Sequence, residues 1–359
     1  MSLHFIKPDT KIDFIGFRWW AFALSAAMIV VGAISMIAKG GLRYGIDFAG
    51  GVIVELKFDA GADMDAVKKT LDDIPLPGLV VQRLGAAEAR NYLIRSSAAE
   101  ATSESVRTTI GSFLESRLPG VHYTVQRQEM VGPKVGEDLR GRALEAMYYA
   151  ILLIAIYISG RFEQRWMAAG IMAAALAGGI YVLQLFHVDL VWLIVAALLI
   201  TLGLCWYLKL NYALGAILSL IHDVLTTVGI FSLLNKEFDL TIIAALLTLI
   251  GYSLNDTIIV FDRIREIRRA NTGDSLPEII NKSVNQTLSR TVMTSGLTFL
   301  AVLSLYLFGG HVINDFALAM LIGIVVGTYS SIYVAAPVIV TLTPETVKPA
   351  GPMRAKAKA

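Results

Sequence analysis

A polytopic α-helical membrane protein of about eight transmembrane helices, with one small α+β domain set in after the first helix, is the fold class this sequence predicts. Three observations carry the prediction. The chain of 359 residues is 55% hydrophobic and only 17% charged, with a mean hydropathy of +0.63. Several of its apolar runs reach the ~20 residues that a helix needs to cross a bilayer. One long polar interruption, residues 40–141, alternates instead between strand-like and amphipathic helical patterns.

The chain opens with a basic stretch, residues 1–18, in which Lys7, Lys11 and Arg18 lead into "WWAFALSAAMIVVGAISMIA". That run is longer than the ~7–15 residues of a signal-peptide core and lacks a clean small-x-small cleavage site, so residues 19–39 read as a retained first span. In the domain that follows, "VIVELKF" puts Val52, Val54, Leu56 and Phe58 on one face of a strand, with Glu55 and Lys57 on the other. "DMDAVKKTLDDI" reads as a helix ended by "PLPG". "LVVQRL" and "NYLIRS" read as strands, then a helix opens near Thr102 with Val106, Ile110, Phe113 and Leu114 at helical spacing, and "HYTVQRQEM" is the last strand. The order βαββαβ is the ferredoxin-like pattern.

Residues 142–342 form the rest of the membrane bundle, with spans expected near 143–160, 166–186, 190–208, 212–234, 239–261, 288–308 and 314–342. Arg161, Arg165, Lys209, Arg263, Arg265, Arg268, Arg269 and Lys282 all fall between spans on one side, and so does the basic tail, residues 343–359. Residues 262–287 read as a basic loop on that side. The opposite loops carry little positive charge, so both termini are expected in the cytoplasm and the α+β domain outside. Trp19, Trp20, Trp166, Trp192 and Trp206 sit near span ends, as interfacial anchors do. "HVDLVWLIVAALLITLG" (187–203) is similar to "EFDLTIIAALLTLIG" (237–251), which suggests a tandem helix-pair duplication. Leu176 and Ala177 in the first copy stand opposite His222 and Asp223 in the second, so the second copy holds the polar residues.

An ionisable side chain at bilayer depth costs about 2.5–3.5 kcal/mol on insertion scales, which makes each one a functional candidate. Asp256 lies well inside its span, with Ser253 one turn before it and Asn255 and Thr257 beside it. In the next span Ser283, Gln286, Thr287, Arg290 and Thr294 share a stripe by three-and-four spacing. Arg290 either faces Asp256 as its ionic partner or snorkels to the headgroups. His222 and Asp223 lie mid-span with Ser219, Thr226 and Thr227, either as an interhelical hydrogen bond or as a relay. The net charge of +2 argues neither for nor against nucleic acid, and no nucleic-acid partner is expected. The single cysteine, Cys205, excludes an internal disulfide framework and a CxxC metal site, and the five histidines do not cluster, so no metal or cofactor is expected. No hydrolase, Walker or zinc-protease motif is present, and no enzyme activity is expected. A proton moving down the membrane potential yields about 2.3 kcal/mol per 100 mV, a sufficient input for a carboxylate that loads and unloads protons.

Five stretches, "YGIDFAGG" (44–51), "VGPKVGEDL" (131–139), "ALGAILSLIHDVLTTVGIF" (213–231), "GYSLNDTIIVFDRIRE" (251–266) and "NQTLSRTVMTSGLT" (285–298), together resemble the SecF family. They run in order across nearly the whole chain. The resemblance implies a multi-pass subunit of the bacterial inner membrane that associates with SecD and, through it, with the SecYEG channel and YajC. It would use the proton-motive force to help draw unfolded secretory polypeptides across at a late stage. Asp256 matches the family's proton-transfer aspartate and Arg290 its basic partner, while Gly45, Asp47, Gly50 and Gly51 match its junction motif. The family normally has six spans, so residues 166–208 read as an extra hairpin, expected at the periphery away from the Asp256 helix. Related resistance-nodulation exporters share this architecture but carry larger external domains, and a non-energised scaffold is the remaining alternative.

Overall fold

The computed structural model describes residues 10–343 apart from 60–61, 85–89, 97–102, 164–165, 168–169, 172, 175–177, 179–189 and 271–272. The α+β domain is built on four strands and two helices among the described residues. Strands β1 (Gly51–Phe58), β2 (Val80–Leu84), β3 (Asn91–Ser96) and β4 (Tyr123–Val131) form one sheet in the order β2-β3-β1-β4, with every neighbouring pair antiparallel. Val52, Val54, Leu56 and Phe58 are buried against Val67 and Leu71 of helix α3 (Met64–Asp72) and Val106, Ile110 and Leu114 of helix α4 (Ser103–Arg117). A short turn of helix, α2 (Ile46–Ala49), lies between the first span and β1.

Among the described residues, six helices are long and apolar enough to cross a membrane. They include α1 (Arg18–Ala38), α5 (Pro133–Glu163), α7 (Asn211–Leu233), α8 (Leu240–Ala270) and α9 (Leu276–Phe308). The sixth crossing joins α10 (His311–Ser330), a π-helical turn (Ser331–Ala335) and α11 (Ala336–Leu342). The sequence predicts about eight spans. Of the extra pair, only α6 (Leu190–Tyr207) is a described helix, and most of the stretch expected at 166–186 lies outside the described residues, as do Leu176 and Ala177 of the first repeat copy.

Three helix ends lie beyond the boundaries that hydropathy marks. α5 starts at Pro133, inside the stretch assigned to the soluble domain, because proline is well suited to a first helical position and the polar turns that follow are good helix formers. Residues 262–287, expected as a loop, are helical except for the short connection between Ala270 and Leu276. An Arg263–Glu266 pair at 2.6 Å extends α8, and a Ser275–Glu278 capping box opens α9. Hydropathy marks where the membrane ends, not where the helix does.

α7 is the central helix, with 72% of its span buried, whereas α9 is 11% and α1 22% buried. Gly32 of α1 meets Gly229 of α7 so closely that a Cβ at position 32 would lie 2.6 Å from the Gly229 Cα. Tryptophans 19, 20, 166, 192 and 206 are all exposed, as interfacial side chains are. Ahead of α1, a strap lies along the start of α9: the amide and carbonyl of Ile12 both pair with the Asn285 side chain, and the Ile15 amide donates to Asn281 Oδ1. Phe14 and Ile15 of the strap are buried.

Candidate functional site

Asp256 sits on α8 with 1% of its surface exposed. Its Oδ2 accepts a hydrogen bond from Ser295 Oγ of α9 at 2.9 Å, and its Oδ1 has no partner among the described residues. The sequence points to Arg290 as the facing residue. Arg290 and Ser295 are five positions apart, about 140° around a helix of 3.6 residues per turn, and cannot share one face. Arg290 is exposed on the flank of α9, and among the described residues it forms no ion pair with Asp256.

The buried hydroxyl residues of α9 run in four-residue steps, Ser283, Thr287, Thr291 and Ser295, beside the buried Ile279, Ile280, Val284 and Leu288. Of the expected stripe, Gln286 is exposed and accepts from Arg263 Nε at 2.7 Å, while Thr287 and Thr294 return their hydroxyls to backbone carbonyls of their own helix. Beside Asp256, Asn255 is exposed and Thr257 is buried with its hydroxyl 3.3 Å from the Ser253 carbonyl.

Ser253 belongs to a second cluster. Its hydroxyl donates to Asp223 Oδ2 of α7 at 2.5 Å, and Ser330 Oγ of α10 donates to the same oxygen at 2.8 Å. Ser219 reaches Ser330 Oγ at 2.9 Å, and His222 Nδ1 lies 2.9 Å from Asp223 Oδ1. The side chains of His222 and Asp223 thus touch although they are neighbours in sequence, a contact that helical spacing alone does not suggest. Thr226 and Thr227 are buried on the same helix, outside this network. Ser330 and Ser295 are the residues that sequence reasoning missed. A four-residue comb of small hydroxyls could have singled out Ser295, but Ser330 sits in the apolar run "YSSIY" with no such signal.

The junction residues tie the α+β domain to the turn between α7 and α8. The Gly45 amide donates to the Phe238 carbonyl and the Phe238 amide to the Arg43 carbonyl, each at 2.7 Å, forming a parallel bridge between Tyr44 and Phe238. Asp47 Oδ2 accepts from the Leu240 amide at 3.0 Å, so a residue of the junction helps cap the helix that carries Asp256. Glu237 in the same turn pairs with Arg95 of β3 and, at 3.8 Å, with Arg43. Gly50 and Gly51 have φ of +74° and +130°, and a Cβ on Gly50 would lie 2.9 Å from the Pro133 Cα, so the start of α5 leaves no room for a side chain there.

Comparison with known proteins fits this arrangement. The family described as "Protein export membrane protein SecD/SecF, C-terminal" matches residues 114–206 and 182–345, and "SecD/SecF GG Motif" matches residues 35–62. The protein translocase subunit SecF of Calditerrivibrio nitroreducens is 40% identical over 337 residues, covering 93% of this chain and 95% of that one. SecF of Magnetococcus marinus is 39% identical over 343 residues, covering 95% and 94%. Among solved structures, SecDF from Thermus thermophilus, titled a translocon-associated membrane protein, superposes with a TM-score of 0.66 at 32% identity, and 95% of this chain is covered. SecDF in a super-membrane-facing form gives 0.58 at 33% identity and 93% coverage. This chain spans 39% of either SecDF chain.

Proposed function

Because the chain belongs to the SecD/SecF family of protein-export membrane proteins, we propose that it is an accessory, non-catalytic export subunit that works with SecD and draws on the proton-motive force. It promotes late-stage translocation of unfolded secretory polypeptides across the bacterial inner membrane, next to SecYEG and YajC. In this reading the α+β domain is ferredoxin-like and periplasmic, and both termini are cytoplasmic. Residues 166–208 add a peripheral hairpin to a six-span core, for eight spans in all.

The observation that carries the proposal is Asp256: a carboxyl with 1% exposure, one oxygen held by Ser295 and the other without a partner among the described residues. A carboxylate accepts only, whereas a protonated carboxyl also donates, so loading a proton changes what α8 and α9 share at this contact. Arg290, on the flank of α9, supplies the positive charge that the ionised form draws on. The cap that Asp47 places on α8 gives the change a route to the external domain.

The test is proton flux and late-stage export in membranes containing SecD and the Asp256→Asn variant, with complex assembly checked on the same sample. Both rates fall to those of membranes lacking the subunit if Asp256 carries the proton. Normal flux and export from an assembled complex would overturn the proposal and leave Asp256 a structural contact.

A further inference from the structure

The second polar cluster is not used by the Asp256 chemistry, and it contains a nitrogen with no partner among the described residues. We propose that His222, oriented by Asp223, is a second proton-binding site of the bundle, one that takes its proton on Nε2. The inference rests on the reading of this bundle as proton-conducting, and it adds a site to it.

His222 is 4% and Asp223 1% exposed. Asp223 is surrounded by donors: the Ser253 and Ser330 hydroxyls converge on Oδ2, and His222 Nδ1 faces Oδ1. A carboxylate that collects two hydroxyl donors on one oxygen accepts on the other as well, which places the ring hydrogen on Nδ1. The neutral imidazole then presents a bare lone pair on Nε2, and that atom has no hydrogen-bond partner among the described residues. A buried nitrogen acceptor with no donor is costly unless something occupies it, and the ligand its chemistry suits is a proton. The step balances simply. A proton from the aqueous side adds to the Nε2 lone pair, no covalent bond breaks, the ring gains one positive charge, and the Asp223 carboxylate balances that charge across Nδ1–H.

One shared helix joins this site to Asp256, and two further features mark its surroundings. Ser253, which binds Asp223, is three residues before Asp256 on α8, so the same helix meets α7 and α10 at one acid and α9 at the other. The polypeptide leaves α-helical register immediately after Ser330, in the π turn Ser331–Ala335, a geometry that often occurs at functional positions. Tyr329 lies with its ring 6.0 Å from the imidazole, and its hydroxyl donates to the Ala21 carbonyl of α1, which ties the cluster to the first span. The titratable groups within the spans of the elements packed against α7 are Tyr252 and Asp256 on α8, Asp315 and Tyr329 on α10, Tyr333 in the π turn, Glu145, Tyr148, Tyr149 and Tyr157 on α5, and Cys205 and Tyr207 on α6. Basic side chains on those helices fall in end turns or polar extensions, so Asp223 is the compensating charge that touches the ring.

The experiment is nitrogen-15 imidazole NMR on the full chain assembled with SecD in bilayers, using a variant in which His4, His122, His187 and His311 are all glutamine. With only this chain labelled, one ring signal remains, that of His222. The expected result is a neutral ring with bare Nε2 at the alkaline end, converting to imidazolium in one transition as the medium is acidified. A ring that stays neutral down to the lowest pH at which the complex stays assembled, or that carries its hydrogen on Nε2, overturns the proposal and makes the pair a structural hydrogen bond. The two readings separate cleanly. Loss of flux in Asp256→Asn with a non-titrating His222 sinks only the second site, whereas a titrating His222 with normal flux in Asp256→Asn sinks only the first.

Discussion

Ser253 and Ser330 share one acceptor, Asp223 Oδ2, and this sets how their loss is felt. Either serine-to-alanine change is predicted to cost about 1–3 kcal/mol of stability, since a buried carboxylate loses a donor. The double variant is predicted to deviate from the sum by on the order of 0.5–3 kcal/mol, measured as a double-mutant cycle on unfolding of the purified protein. At the other acid, Ser295→Ala removes the one side chain that bonds Asp256 among the described residues, whereas Ser295→Thr keeps a hydroxyl. Proton flux is predicted to fall in the alanine variant and to survive in the threonine variant. Asn255→Ala changes an exposed side chain and is predicted to stay within about 0.5 kcal/mol of the parent protein. Asp256 itself was legible in the sequence because a short acid inside an apolar run has no route to water. Its partner was not. Serine fits an apolar helix by returning its hydroxyl to its own backbone, as Ser283 does to Ile279, so the residue type alone does not say which serine turns outward to a neighbour.

The elements show the same division between what pattern fixes and what contact decides. Alternation located β1 and helical spacing located α4, because one face of each is buried in a single core. The ends of α5, α8 and α9 were misplaced, since polar turns beyond the membrane continue the helix and hydropathy does not register them. At the junction, Gly50→Ala combines a left-handed backbone with a close approach to Pro133 and is predicted to destabilise the chain by roughly 2 kcal/mol or more. Reduced yield of the complex with SecD is the measurement. The strap before α1 has its own pH dependence. The Gly16 amide, followed by the Asn281 side chain, holds the Asp13 carboxyl below its ordinary value. A depressed carboxyl contributes stability above its ordinary pKa and loses it as pH falls through the lower folded value. Cleavage of the strap by an acid-active protease is therefore predicted to rise as the medium is acidified, and Asn281→Ala is predicted to flatten that dependence.

For the whole molecule, the α+β domain and the bundle have separate cores, joined by the packed junction turn at the start of α5 and by a few polar contacts. Glu237→Gln weakens the Arg95 and Arg43 pairs without touching either core. Distances between a spin label on the sheet and one on the α7–α8 turn are predicted to broaden, while unfolding of the domain stays unchanged. Two features at this scale were readable, the domain after the first helix and the buried acid of α8. Packing was not readable, because apolar residues all round a helix say that it crosses the membrane but not which neighbour it meets. α8 makes the point concrete. It runs unbroken for 31 residues, about 46 Å at 1.5 Å per residue, with a domain residue capping one end and Asp256 along its length. Linkage between two sites on one stiff rod is reciprocal: if occupancy of the acid by a proton biases the stance of the domain, a polypeptide pulling on the domain alters proton affinity by the same factor. Mechanical load from the exported chain would then set the pace at which the bundle spends its gradient.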